Sequence, residues 1–317
     1  MKRLIFNADD FGICQAANQA IVQSHQRGVL NSTSLLVNMP ATQHAVSLWK
    51  EKSRFRSSEH PLEIGLHFCL TSGRPVLPQE EVPLLTSPQG KFRHSFFSLW
   101  NALRGASRTT LQLQIAAELL AQWQRALDLG ITPTHLDSHQ HVHMIPGVAE
   151  VVTDFAHQKQ VPIRISRETP PRNAMLQHAT RPIHSALGRL RISLLNHFAA
   201  RAPFAKALPH RANQCIGIWH SGHMTLSTLL DSLRHLPRNT TTEVIVHPGM
   251  ACKPSSLFAD DTSGEVSAAD QSFWCRSQRA TELQALTSTE LAAAVLRFQP
   301  SPKAELALPP QVLLKNR

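Results

Sequence analysis

A parallel α/β barrel of about seven strands, with two inserted lid segments, is the fold this sequence predicts. Three observations predict it. Apolar runs of strand length alternate with stretches of helical periodicity along most of the chain. Some of these runs, such as LEIGLHFCL (Leu62–Leu70), are apolar nearly throughout, as strands covered by helices must be. Polar residues of catalytic type stand at the ends of four of the runs, where such barrels gather their chemistry.

In chain order, RLIFNADDFG (Arg3–Gly12) reads as a first strand ending in two acids and a glycine. Asp9 and Asp10 would face opposite ways in a strict strand. At a terminus where Gly12 permits a turn, both can point into one cleft. Capping of the helix Cys14–Arg27 is the plainer role for one of them. Ser32–Asn38 is the second strand, Ala41–Trp49 its helix, and Leu62–Leu70 the third strand, interrupted only by His67. A turn-rich excursion over about residues 74–109 has the length of an active-site lid, and Phe92, Phe96, Phe97 and Trp100 would pack it on itself. Leu111–Asp128 is an amphipathic helix leading into the central strand.

That strand runs into THLDSHQHVH (Thr134–His143), with His135, Asp137, His139, His141 and His143 at every second position. In an extended chain the five groups would leave one face as a polar row. Pro146-Gly147 then opens a helix through Val151, Val152 and Phe155, so the row sits at a strand end. Imidazoles are common metal ligands, and a carboxylate two residues away is placed to orient one. A surface histidine tract that binds metal incidentally is the alternative.

Val161–Ile165 is a fifth strand carrying Arg164, and residues 170–212 form a second insertion. Cys215–Trp219 is a sixth strand with helix Leu226–Leu236 after it, Glu243–Gly249 a seventh ending at His247, and Glu282–Phe298 closing helical sequence. One domain over residues 1–300 is expected, with a peripheral Pro-rich tail at 301–317.

Composition narrows the class. Hydrophobic residues make up 42% of 317, enough for a full core. Five scattered cysteines without a CxxC pair indicate free thiols in a reducing compartment, and the short apolar start is no signal peptide. A cytoplasmic protein is expected. The net charge of +10 raises nucleic acid as a partner, but no binding motif accompanies it.

Asp10, His67 and His139 together supply one carboxylate and two imidazoles, a set suited to one divalent metal with open positions. Asp9 beside it could take a proton from water as general base, and His247 could protonate a departing amine. This is equipment for hydrolysing an amide or ester. The acids are adjacent and not opposed, which argues against a two-carboxylate glycosidase. A metal-storage or sensor barrel has the same ligands.

NADDFG (Asn7–Gly12), GLHF with LTSGRP (Gly65–Pro75), THLDSHQHVHMIP (Thr134–Pro146) and HPG (His247–Gly249) resemble, in order and spacing, the YdjC-like family of carbohydrate deacetylases. The ChbG-type branch removes acetyl groups from chitooligosaccharides. The stretch Gly217–Pro237 is also similar to the HpnK-type branch, associated with hopanoid lipids. The resemblance implies a distorted barrel related to polysaccharide deacetylases and removal of an N-acetyl group from an amino sugar or glycolipid. It implies a magnesium or zinc ion at Asp10, His67 and His139, with Asp9 as base and His247 as acid. Asp137, His141 and Arg164 would support these groups or the substrate. A homodimer is compatible with it.

Between Val161 and Ala212 nine Lys and Arg stand against one acid, a net +8 of the chain's +10. Ile183, Leu187, Leu190, Leu194 and Phe198 recur there at helical spacing. Such a helix either covers the barrel or lies on an anionic membrane surface at the inner face.

Overall fold

In the computed structural model, residues 3–53, 61–169, 186–201, 211–237, 240–251, 257–258, 261 and 266–298 are described. Their strands are β1 (Arg3–Phe11), β2 (Ser32–Leu35), β3 (Glu63–Phe68), β4 (Leu136–Ser138), β5 (Gln214–Ile216) and β6 (Thr241–Val246). All pair parallel, in the order β4-β3-β2-β1-β6-β5. Every residue of β1 after Arg3 is buried, as the apolar run requires.

The expected fifth strand at Val161–Ile165 is reduced to one parallel bridge, Ile163 with Leu136. Pro162 cannot donate to a ladder, which limits pairing there. The segment still does the work of a strand. Leu136 N–H donates to Pro162 O and Arg164 N–H to Leu136 O, each at 3.0 Å. On its other edge Ile163 O accepts from Arg211 N–H at 3.2 Å, and Arg167 O from Cys215 N–H at 2.9 Å. It thus links the two edge strands, β4 and β5, and closes the sheet into an irregular barrel.

The outer layer is helical: α1 (Gln15–Arg27), α2 (Thr42–Ser53), α3 (Phe96–Ala102), α4 (Arg108–Asp128), α5 (Val148–Lys159), α6 (Ala186–Arg201), α7 (Leu226–Arg234), α8 (Ala268–Trp274), α9 (Gln278–Leu286) and α10 (Thr289–Phe298). The closing helical sequence Glu282–Phe298 is helical as expected, divided between the end of α9 and α10. Leu4, Phe6 and Ala8 of β1 join Ile21, Leu66 and Ile115 in the apolar core between strands and helices. The opposite faces of the strands, turned into the ring, are polar. Asn7 Nδ2 donates to Asp9 Oδ1 at 2.8 Å and to Ser34 Oγ at 2.9 Å, and Ser34 Oγ donates to Asp137 Oδ2 at 2.6 Å. Arg211 bonds Ser32 and lies 3.5 Å from Glu243. Gly65 leaves room in this interior: a Cβ there would stand 2.2 Å from His135 Nε2.

The first insertion and α6 of the second pack on the barrel. Glu118 of α4 accepts from the Val76 and Leu77 N–H groups at 2.8 and 3.1 Å, tying down the first. Phe92 and Phe96 are buried within it. Trp100 meets Phe198 of α6 edge to face at 5.5 Å, so the two insertions touch. Residues 170–185 and 202–210, with Arg172, Arg181 and Lys206 of the nine basic residues, lie outside the described residues, as does the tail. The buried face of α6 is Ile192, Leu195 and Phe198, while Leu190 of the expected stripe is exposed. Phe198 of the stripe is buried and Leu194 packs partly buried against the core, while Ile183 and the Leu187 side chain lie outside the described residues. Among the described residues no helix is long and apolar enough to cross a membrane.

Candidate active site

The two acids of β1 reach one cleft because the strand breaks its own alternation. The register with β2 slips between Ala8 and Phe11, and Asp10 takes a left-handed φ of 64°. A bulge of this kind re-aims a side chain. Gly12, at φ 105°, completes the turn, and a Cβ there would meet Leu36 O at 2.7 Å. Neither acid caps α1, whose N-cap is Cys14 with no side-chain capping bond.

Asp10 Oδ1 lies 2.8 Å from His139 Nδ1 and 3.2 Å from His67 Nε2. The three groups offer ligand atoms all within 4.8 Å of one another, and all three are buried. The other nitrogen of each ring meets a carboxylate: His67 Nδ1 meets Asp137 Oδ1 at 2.7 Å, and His139 Nε2 meets Asp270 Oδ1 at 3.1 Å. Two imidazoles and a carboxylate with both rings oriented from behind fit a divalent cation. Asp9, His67 and Asp137 also cluster within 4.8 Å. There Arg164 already lies on both acids, 2.7 Å from Asp9 and 2.7 Å from Asp137 Oδ2, and competes with any cation.

Burial would raise the carboxyl of Asp10, but the charge of His139 and hydrogen bonds from both rings hold it well below the usual range. Burial would likewise depress His67, yet the charges of Asp137 and Asp9 hold it up at about 9. His139 is raised well above its ordinary value against burial by Asp270 and Asp10. The pocket favours positive charge at these rings.

His247 follows β6. Its N–H donates to Glu282 Oε2 at 2.6 Å and its carbonyl accepts from Arg279 at 3.1 Å. The ring stands edge to face with Phe273 and Trp274 of α8, at 5.1 and 6.3 Å. Its Nδ1 has no hydrogen-bond partner among the described residues. Burial lowers its pKa, against the pull of Asp9 and Asp10.

Of the five alternating groups, only Asp137 and His139 join the cluster. The strand ends at Ser138, and left-handed Gln140 (φ 55°) and His141 (φ 59°) break the alternation that the row required. His141 Nδ1 pairs with Ser166 Oγ at 2.9 Å, outside the three-group cluster. His143 lies between Ser138 and the Arg164 carbonyl, and His135 is bonded to Thr134 inside the ring.

The sequence reading did not single out Asp270, Glu243, Arg279 or Glu282. Ser267 and Asp270 stand in the S-x-x-D spacing of a helix start, a signal for a cap and not for a site. Arg279 and Glu282 are buried at 3.3 Å from each other behind His247.

A family model described as YdjC-like protein matches residues 3–297. A carbohydrate deacetylase of Geobacillus stearothermophilus is 41% identical over 168 residues, 53% of this chain and 61% of that protein. One of Halalkalibacterium halodurans is 36% identical over 174 residues, 55% of this chain and 68% of its own length. A chitooligosaccharide deacetylase of Salmonella typhimurium is 42% identical over 168 residues, 52% of this chain and 60% of that protein. The chain thus spans about three fifths to two thirds of these relatives. A solved structure from Enterococcus faecalis, named for cellobiose-phosphate cleavage, superposes with a TM-score of 0.67 over 94% of this chain and 95% of that one. At 24% identity it shows a common fold.

Proposed function

Because the chain belongs to the YdjC-like protein family, we propose that it is a metal-dependent hydrolase that removes an N-acetyl group from an amino sugar. The observation that carries this reading is the meeting of Asp10, His67 and His139 within 4.8 Å, with the Asp9 carboxylate on the adjoining residue. The names of the three relatives support an acetylated sugar as the substrate class.

Asp10, His67 and His139 would hold the ion, with Asp137 and Asp270 behind the rings. A divalent ion there, zinc or magnesium, supplies Lewis acidity to the acetyl carbonyl and to water. Asp9 takes the proton from the attacking water. Arg164 fixes the plane of that carboxylate by two bonds of 2.7 Å. His247 gives a proton to the amine nitrogen as the C–N bond breaks, and its lowered pKa makes the protonated ring a stronger acid. Acetate and the free amino sugar leave. Arg279 and Glu282 hold the His247 peptide from both sides and so fix where the ring sits.

Acetate release from a panel of N-acetylated monosaccharides, chitooligosaccharides and glycolipids tests the reading. Metal-stripped protein should be inactive and should recover on addition of zinc or magnesium. No acetate from any member, with metal restored, would overturn it.

A further inference from the structure

We propose that Asp270 is a positioning residue that fixes His139, holding Nε2–H so that Nδ1 is the nitrogen presented beside Asp10 to the ion. The inference rests on the metal-site reading above and adds a residue from a distant part of the chain.

His139 is gripped at both ends: Nδ1 is 2.8 Å from Asp10 Oδ1 and Nε2 is 3.1 Å from Asp270 Oδ1. A neutral imidazole has one donor and one acceptor nitrogen. An acceptor-only carboxylate on Nε2 selects the tautomer with its proton there and leaves the Nδ1 lone pair for the ion. His67 is arranged the same way with the nitrogens exchanged: Asp137 on Nδ1 at 2.7 Å and Asp10 on Nε2 at 3.2 Å. Each ring therefore has one nitrogen at Asp10 Oδ1 and the other on a carboxylate of its own.

Capping does not account for Asp270. In a capping box the acid three residues into the helix accepts the backbone N–H of the cap residue. Here the cap residue, Ser267, gives that N–H to Ser72 Oγ at 3.1 Å, in the loop that follows β3 and His67. The Ser267 hydroxyl accepts from Asp270 N–H at 3.1 Å and donates to Asp270 Oδ2 at 2.6 Å. The carboxylate is thus released from capping, braced on one oxygen, and aimed with the other at His139. It is buried, 131 positions from its partner, and locked to the strand end that carries the second ring.

The test uses the metal-stripped full chain, titrated calorimetrically with zinc, alongside His139→Ala, Asp270→Ala and Asp270→Asn. The parent should bind one ion and His139→Ala should lose it. Asp270→Ala should bind about 10–100-fold more weakly, the usual loss when an orienting partner is removed. Asp270→Asn, whose amide oxygen still accepts from Nε2–H, should fall between them. Nitrogen-15 spectra of the zinc-loaded parent should show His139 protonated at Nε2, with that state lost in Asp270→Ala. A purely structural role would lower the melting temperature of the metal-free variants and leave zinc affinity and tautomer unchanged. That result overturns the inference while the metal site stands. If the parent binds no zinc, the metal reading fails and this inference with it. If Asp270→Ala does not fold, zinc affinity in Asp270→Asn decides: a value equal to the parent's overturns it.

Discussion

Arg164 holds Asp9 in a fork, Nη1 to Oδ2 and Nη2 to Oδ1, each at 2.7 Å, across the interior of the barrel. The same guanidinium lies 2.7 Å from Asp137 and 3.0 Å from Glu243. Bidentate pairing fixes the plane of a carboxylate. A carboxylate so held is fixed in place within the barrel, and through Asp137 the fork also reaches behind the His67 ring.

Asp9→Asn keeps the shape and removes the basic carboxylate. Turnover on an N-acetylated sugar should fall by about 10²–10⁴-fold, the range of general-base contributions. Zinc binding at Asp10, His67 and His139 should persist. Full activity in a variant that melts normally would remove Asp9 from the mechanism.

Arg164→Met would leave Asp9, Asp137 and Glu243 buried without their common counterion. Breaking a buried pair from one side costs about 3–5 kcal/mol. Chemical denaturation should register a loss of that order. A stability change below about 1 kcal/mol, the scale of an exposed pair, would show the network to be better solvated than its burial indicates.

Gly65→Ala would set a Cβ against the His135 ring at 2.2 Å, in a sheet whose backbone cannot retreat. Overpacking of this kind costs about 1–3 kcal/mol. The melting temperature should drop, and Gly65→Ala combined with His135→Ala should recover part of the loss. A double variant no more stable than the single one would place the strain elsewhere.

Glu168 is buried against the turn after β5, accepting from Gly217 and Trp219 N–H at 3.1 and 2.6 Å. Burial pushes its carboxyl up to about 7 from the usual 4.5, although those amides pull it down. The folded protein therefore keeps a proton that the unfolded chain has lost between those values. Stability falls as pH rises through that window and levels off above about 7, by roughly 3 kcal/mol in all. Denaturant midpoints at pH 5 and pH 8 should differ more in the parent than in Glu168→Gln, which has no such proton. Equal differences would contradict the assignment.

The order of strands and helices, the barrel class and the placing of Asp10, His67 and His139 at strand ends were legible in the sequence. These are local properties: apolar period, strand-breaking glycine and proline, and polar residues where a buried run stops. The tertiary structure alone decided the rest. Left-handed turns at Asp10, Gln140 and His141 set which neighbours share a cleft, and non-glycine residues adopt them only where surrounding contacts hold them. They brought Asp9 and Asp10 together and turned His141 and His143 away, undoing the row that alternation suggested. The segment at Ile163 closed the barrel through single backbone bonds that no periodicity announces. Asp270 reached His139 from 131 positions away because a helix start was braced on the loop beside His67. Pairings of that range depend on chain closure, and a linear pattern carries no distance between residues so far apart.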